Sequence, residues 1–259
     1  MSTQRWILTG LLVLALLAPA AAPSFAQPAP TPTVVTLEIP IAAGSDDAGI
    51  GQDCTYSTNN SEIYFGQCAS NADITSGFRF ADVPIPRGAS IVDASIRFTV
   101  DGPYADDAMT VRFSGEATGN AFAFDYYRPE YRPLIPDFQA DWQITADDPW
   151  TLGETRTSPP LTRIVQAIVN RTDWNSGNAL AIITQNLGTA TGTWRHRRVL
   201  SFNRSPQHAA RLVVTYQTMP AAPALPPDWT YGPANGVMAG AGDLNGDGFD
   251  DLLVVDPQN

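Results

Sequence analysis

Between residues 34 and 218 apolar and polar side chains alternate in short runs. In residues 34–41, Val35, Leu37, Ile39 and Ile41 fall on one face of an extended backbone. Residues 91–100 place Ala94, Ile96, Phe98 and Val100 on one side and Asp93, Ser95, Arg97 and Thr99 on the other. A period of two is the mark of a half-buried strand. Shorter runs of the same kind recur at 62–66, 77–83, 109–115, 140–144, 178–185, 199–203 and 211–217. Gly, Pro, Asn and Asp separate them, as turns between antiparallel strands require. About nine strands in this span predict an all-β fold, a jelly-roll-like antiparallel β-sandwich of two packed sheets. One segment breaks the period. Leu161, Ile164, Val165, Ile168 and Val169 recur at helical spacing and form a single apolar stripe, which predicts one short helix lying across an end of the sandwich. Ser158 is the expected cap and Pro159 the first helical residue, with the helix ending near residues 174–177.

The pattern changes at both ends of the chain. Residues 1–26 combine Arg5, an apolar stretch over 6–17, and small residues leading to Ala26, the layout of a secretory signal peptide. That stretch is shorter than the roughly 20 residues a membrane-spanning helix needs. Export is therefore expected, to a secreted or cell-surface location with no transmembrane segment after signal removal. Residues 27–33 form an Ala/Pro/Thr linker, 34–218 the sandwich, 219–227 a Pro-rich linker, and 228–259 a separate C-terminal piece. An oxidising compartment lets Cys54 and Cys68, the only two cysteines, form a disulfide.

Composition removes several classes of function. All 15 basic residues are Arg, and without Lys there is neither Schiff-base chemistry nor a phosphate-binding P-loop. A net charge of −11 opposes nucleic acid as a partner. The two histidines, His196 and His208, stand in no catalytic context, and no Gly-x-Ser-x-Gly elbow occurs. Adjacent Asp pairs at 46–47, 106–107, 147–148 and 250–251 read as solvated turn acids. A polysaccharide-degrading enzyme acting through paired Asp is the weakest of the functional alternatives.

The C-terminal piece carries the most specific chemistry. Asp243, Asn245, Asp247 and Asp251 occupy positions 1, 3, 5 and 9 of a calcium loop, and Gly248 takes the sharp turn at position 6. The backbone carbonyl of Phe249 falls at position 7. Hard oxygen donors at alternate positions suit Ca²⁺, the one cofactor expected. Position 12 of an EF-hand is a bidentate Glu, but here it is Val254, and residues 252–255 read as a strand rather than a helix.

Two resemblances follow from these motifs. Ser45, Asp46 and Asp47, then GFRFADVPIPRGA at 77–89, IVDASIRF at 91–98, LTRIVQAIVNR at 161–171, WNSGNA at 174–179 and RLVVTY at 211–216 run in the order of the DNRLRE family. The chain from 34 to 217 resembles that secreted β-sandwich domain, which is related to disaggregatase repeats. The segment 54–68 and the aromatic-rich stretch 122–142 depart from it. Tyr231, Gly232 and AGDLNGDGFDDLLVV at 241–255 resemble the FG-GAP (VCBS-type) repeat, the unit of integrin-like propeller blades, which implies a partial β-propeller repeat stopped within its first blade. A single repeat cannot bury its own apolar face, so a truncated member of a longer protein is expected. The resemblances imply a non-catalytic extracellular binding or adhesion protein with a structural calcium loop. The alternative is a carbohydrate-binding module for an anionic polysaccharide or cell-surface component. Trp150, Trp194, Arg195 and Arg197 are its candidate ligand residues, and Tyr126, Tyr127 and Tyr131 are further aromatic candidates, since sugar C–H faces stack on rings while guanidinium forks hold carboxylates.

Overall fold

The computed structural model describes residues 31–102, 108–189, 195–218, 237–242 and 251–255. The signal peptide expected over 1–26 and the linker over 219–227 lie outside the described residues. Among the described residues no helix is long and apolar enough to cross a membrane.

The alternating runs become strands that pair antiparallel throughout the described residues. A four-stranded sheet has the order β1 (Thr33–Pro40), β12 (Arg211–Thr218), β6 (Ser90–Thr99), β9 (Thr155–Thr157). A six-stranded sheet has the order β3 (Tyr56–Ser57), β2 (Asp47–Ile50), β5 (Thr75–Phe80), β10 (Leu180–Thr189), β7 (Met109–Glu116), β8 (Leu134–Ile144). A third pair, β4 (Glu62–Gly66) with β11 (His196–Leu200), adds Ile63, Phe65 and Val199 to the same core. The chain crosses between the two large sheets at β1–β2, β5–β6, β6–β7, β8–β9 and β9–β10, the hopping path of a jelly-roll-like sandwich.

The core follows from the alternation. Ala94, Ile96 and Phe98 on β6, with Leu212 and Val214 on β12, meet Phe78, Phe80, Ile182, Val111 and Phe113 from the facing sheet. Phe98 is central. Its ring lies 5.1 Å from Phe78 and 5.5 Å from Phe65, both edge-on, and stacks on Trp142 at 6.1 Å. Edge-to-face and offset geometries are what the ring quadrupoles favour.

The helix is α1 (Thr162–Val169), with Ile164, Val165, Ile168 and Val169 buried against the core. It starts later and ends earlier than its sequence signals predict. Leu161, with no side-chain cap, precedes its first residue. Ser158 serves the sheet instead: its Oγ accepts from the Ile96 N–H at 2.9 Å and donates to the Pro159 carbonyl at 2.8 Å. Burial of the apolar stripe, rather than a cap, sets where this helix begins. Beyond it, Trp174 is fully buried and donates to the Ile85 carbonyl, and Gly177 turns the chain with φ 92°.

Cys54 and Cys68 form the expected disulfide, Cα atoms 5.2 Å apart. It closes a small satellite cluster of Tyr64, Ile74 and Ile50. In the C-terminal piece, β13 (Val237–Gly242) and β14 (Asp251–Val255) pair antiparallel.

Candidate functional site

The strand β10 is apolar on both faces. Leu180 and Ile182 point into the sandwich, while Ala181 and Ile183 lie in a second buried cluster with Ala48, Ala121, Ala179 and Phe124. A strand reads as a continuous apolar run only when both faces are covered. The cover here is the connection 117–133 between β7 and β8, folded over the outer face of the six-stranded sheet. Phe124 is fully buried and lies on Gly77, where an added Cβ would collide with its ring.

Polar groups fasten this connection along its length. The Ala121 N–H donates to the Ala179 carbonyl and the Phe124 N–H to the Ser45 carbonyl, at 2.9 and 2.8 Å. Arg79 Nε donates to the Ala121 carbonyl while its Nη1 pairs with Asp46. Tyr56 donates its hydroxyl to the Phe124 carbonyl at 2.7 Å, and burial pushes its pKa up to about 12. Arg132 is the anchor. Its buried guanidinium bonds both oxygens of Glu116 (3.0 and 3.1 Å) and the carbonyls of Tyr127, Phe122 and Ala123. It also sits over the Phe124 ring at 4.9 Å. Burial pushes the Glu116 carboxyl upward, and the ion pair with Arg132 works against that. A guanidinium with its donors used in this way makes burial of charge tolerable.

On this fastened backbone four aromatic rings face solvent. Phe122 is 73% exposed, Tyr126 81%, Tyr127 47% and Tyr131 60%. Tyr127 and Tyr131 have ring centroids 6.3 Å apart. Arg128 lies over Tyr56 at 4.3 Å and pairs with Glu130 at 2.9 Å.

Two of the four ligand residues expected around Trp194 lie inside the fold. Trp150 is a core residue, 1% exposed, 5.4 Å from Trp142 and 6.3 Å from Phe65. Arg197 is fully buried, its guanidinium carbon 5.9 Å from the Trp150 ring. Neither reaches a polymer outside the fold. The reason is alternation: within β11, Arg197 and Val199 point inward while His196, Arg198 and Leu200 are half-exposed. Arg195 is half-buried, its carbonyl accepting from the Gln67 N–H at 2.8 Å, and Arg198 Nε donates to the Asp101 carbonyl at 3.0 Å. Trp194 lies outside the described residues. The aromatic connection is the group that sequence reasoning left unassembled; the doubly apolar run at 179–183 was the signal that something had to cover β10.

Asp46 and Asp47 differ from the solvated turn acids expected, whereas Asp147 is an exposed turn residue as expected. Asp46 and Asp47 are both buried. Asp47 Oδ2 accepts from the Phe202 N–H at 2.7 Å, Oδ1 has no partner among the described residues, and burial pushes its pKa up to about 7. Asp148 pairs with Arg156 at 2.8 Å; Asp106, Asp107 and Asp250 lie outside the described residues.

Of the calcium-loop residues, Asp243, Asn245, Asp247 and Phe249 lie outside the described residues. Asp251 opens β14, and its backbone stands opposite Gly242 at the last pair of the β13–β14 ladder. The segment 243–250 therefore connects two antiparallel strands. A scan against protein-family models matches no family, and a search of curated proteins finds no relative.

Proposed function

We propose that this chain is a non-catalytic extracellular binding protein, a DNRLRE-like sandwich followed by a calcium-stabilised strand–loop–strand unit of the FG-GAP kind. The observation that carries the second half is the register Gly242↔Asp251. It brackets the Asp-x-Asn-x-Asp-Gly sequence between strands, whereas an EF-hand brackets its loop between helices. Asp243, Asn245, Asp247 and Asp251 would supply side-chain oxygens and Phe249 its carbonyl; bound Ca²⁺ would neutralise carboxylates that otherwise repel one another across a short loop. Such a site holds the hairpin in shape and performs no reaction. The sandwich supplies the binding surface, and its fold alone does not name the ligand.

Calcium titration of the whole chain tests this reading. With extracellular-type affinity of about 10⁻⁴–10⁻³ M, 10 mM Ca²⁺ stabilises the C-terminal unit by roughly 1.4–2.7 kcal/mol. Hydrogen exchange should slow at 237–242 and 251–255 on adding Ca²⁺, and Asp247→Ala should abolish the slowing. Identical exchange in Ca²⁺ and in chelator would overturn the calcium assignment.

A further inference from the structure

We infer that the aromatic connection 122–131 is a saccharide-binding site, and that its ligand is a neutral polysaccharide. The inference rests on the reading of the chain as a binding protein and gives that reading a surface and a ligand class.

Three observations carry it. The first is the cost of the arrangement. Phe122, Tyr126, Tyr127 and Tyr131 stand in water on a connection that buries Ala121 and Phe124 against the sheet and leaves Ala123 half-buried. A loop that only covered β10 would gain nothing by exposing four rings, and exposed aromatics in one place mark contact surfaces.

The second is rigidity. The Phe122, Ala123 and Tyr127 carbonyls all accept from Arg132, and the Phe124 backbone is held at both its N–H and its carbonyl. The backbone beneath the rings is fixed before any ligand arrives, so less ordering entropy is lost on binding.

The third is chemistry. Three of the four exposed rings are tyrosines, each presenting an apolar face beside a hydroxyl. A pyranose offers the matching pair, a C–H face for the ring and equatorial hydroxyls for the polar edge. A partner that packed as a protein core would favour aliphatic side chains, which this surface lacks at 122–131. Charge sets the ligand class. Arg132 is committed to Glu116, and Arg128 to Glu130 and the Tyr56 ring, while Asp125 is exposed. The connection thus offers no surplus of cations, on a chain of net charge −11, and an anionic polymer would be repelled. This replaces the anionic polysaccharide expected from the arginines around 195–198.

Affinity electrophoresis of the whole chain tests the site, with laminarin, xyloglucan and galactomannan as neutral probes and alginate as the anionic contrast. Retardation is expected by at least one neutral probe and not by alginate. Tyr126→Ala and Tyr131→Ala should together weaken it by about tenfold or more, while Tyr131→Phe weakens it far less, because the stacking ring stays and only one hydroxyl is lost. These side chains are exposed, so unchanged thermal unfolding will show that the variants are folded. Retardation untouched by the alanine variants would overturn the site and leave the binding function standing. Retardation by none of the neutral probes would overturn the inference, as would self-association that the variants abolish, which would assign the rings to a second copy of the chain. Release of reducing ends from a retained probe would instead overturn the non-catalytic reading, with the alanine variants still deciding where the polymer sits.

Discussion

At the scale of single residues, Asp47 holds an ionisable group where water cannot reach it. Its folded pKa, about 7, stands well above the usual carboxylate value, so the folded state binds the proton more tightly than the unfolded one. Stability contributed by this group is present below pH 4 and is lost as pH rises to about 7. Asp47→Asn keeps an acceptor for the Phe202 N–H and removes the charge. The amide NH₂ replacing Oδ1 meets no acceptor among the described residues, which trims the gain. The variant should match the parent near pH 4 and exceed it at pH 8 by about 1–3 kcal/mol. Urea unfolding at both pH values measures this, and equal differences at the two would show that ionisation of Asp47 is not the cause. Nothing in the local alternation separates Asp47 from the other Asp residues; the N–H it accepts from belongs to Phe202, 155 positions away. Trp150 and Arg197 teach the same lesson, since sequence displayed their chemistry but not that each would turn into the core.

Among elements, the connection 117–133 behaves as a part of the core that happens to lack regular structure. Arg132→Ala would leave Glu116 buried without its ion-pair partner, with only the weaker field of Arg79, and free three backbone carbonyls. The expected cost is about 3–5 kcal/mol, with protease nicking focused on 117–133. Replacing Arg132 and Glu116 together by Met and Leu should recover most of that loss, because no lone charge remains. If the single and double variants lose the same stability, the ion pair is not what fastens the connection. Several elements were legible beforehand. The run at 62–66 is β4 and the run at 109–115 is β7 within a residue. The strand expected at 140–144 begins instead at Leu134, because Pro136 reads as a breaker and yet sits on an edge strand, where a missing N–H costs no ladder bond. β2, β3 and β9 were missed. They hold two to four residues each, too few for a period, and exist because a neighbouring strand supplies their partners.

On the scale of the whole molecule, the disulfide ties the turn between β2 and β3 to the residues just after β4, outside the main core. Cys54→Ala with Cys68→Ala releases a loop of about 15 residues and should cost roughly 3 kcal/mol on chain-entropy grounds. Guanidinium unfolding with and without reductant checks it; an unmoved midpoint would mean the loop is held without the bond. The sequence by itself determined the class of fold, because alternation is local and two sheets are the simplest way to bury the inner half of so many short strands. It also determined the pairing of two cysteines that had no other partner, and the donor spacing at 243–251. Only the tertiary structure decided which face of the six-stranded sheet is covered, which charges are buried beneath the cover, and which rings are left in water. Those outcomes depend on segments far apart in the chain meeting in space, and residue order alone does not fix which distant groups become neighbours.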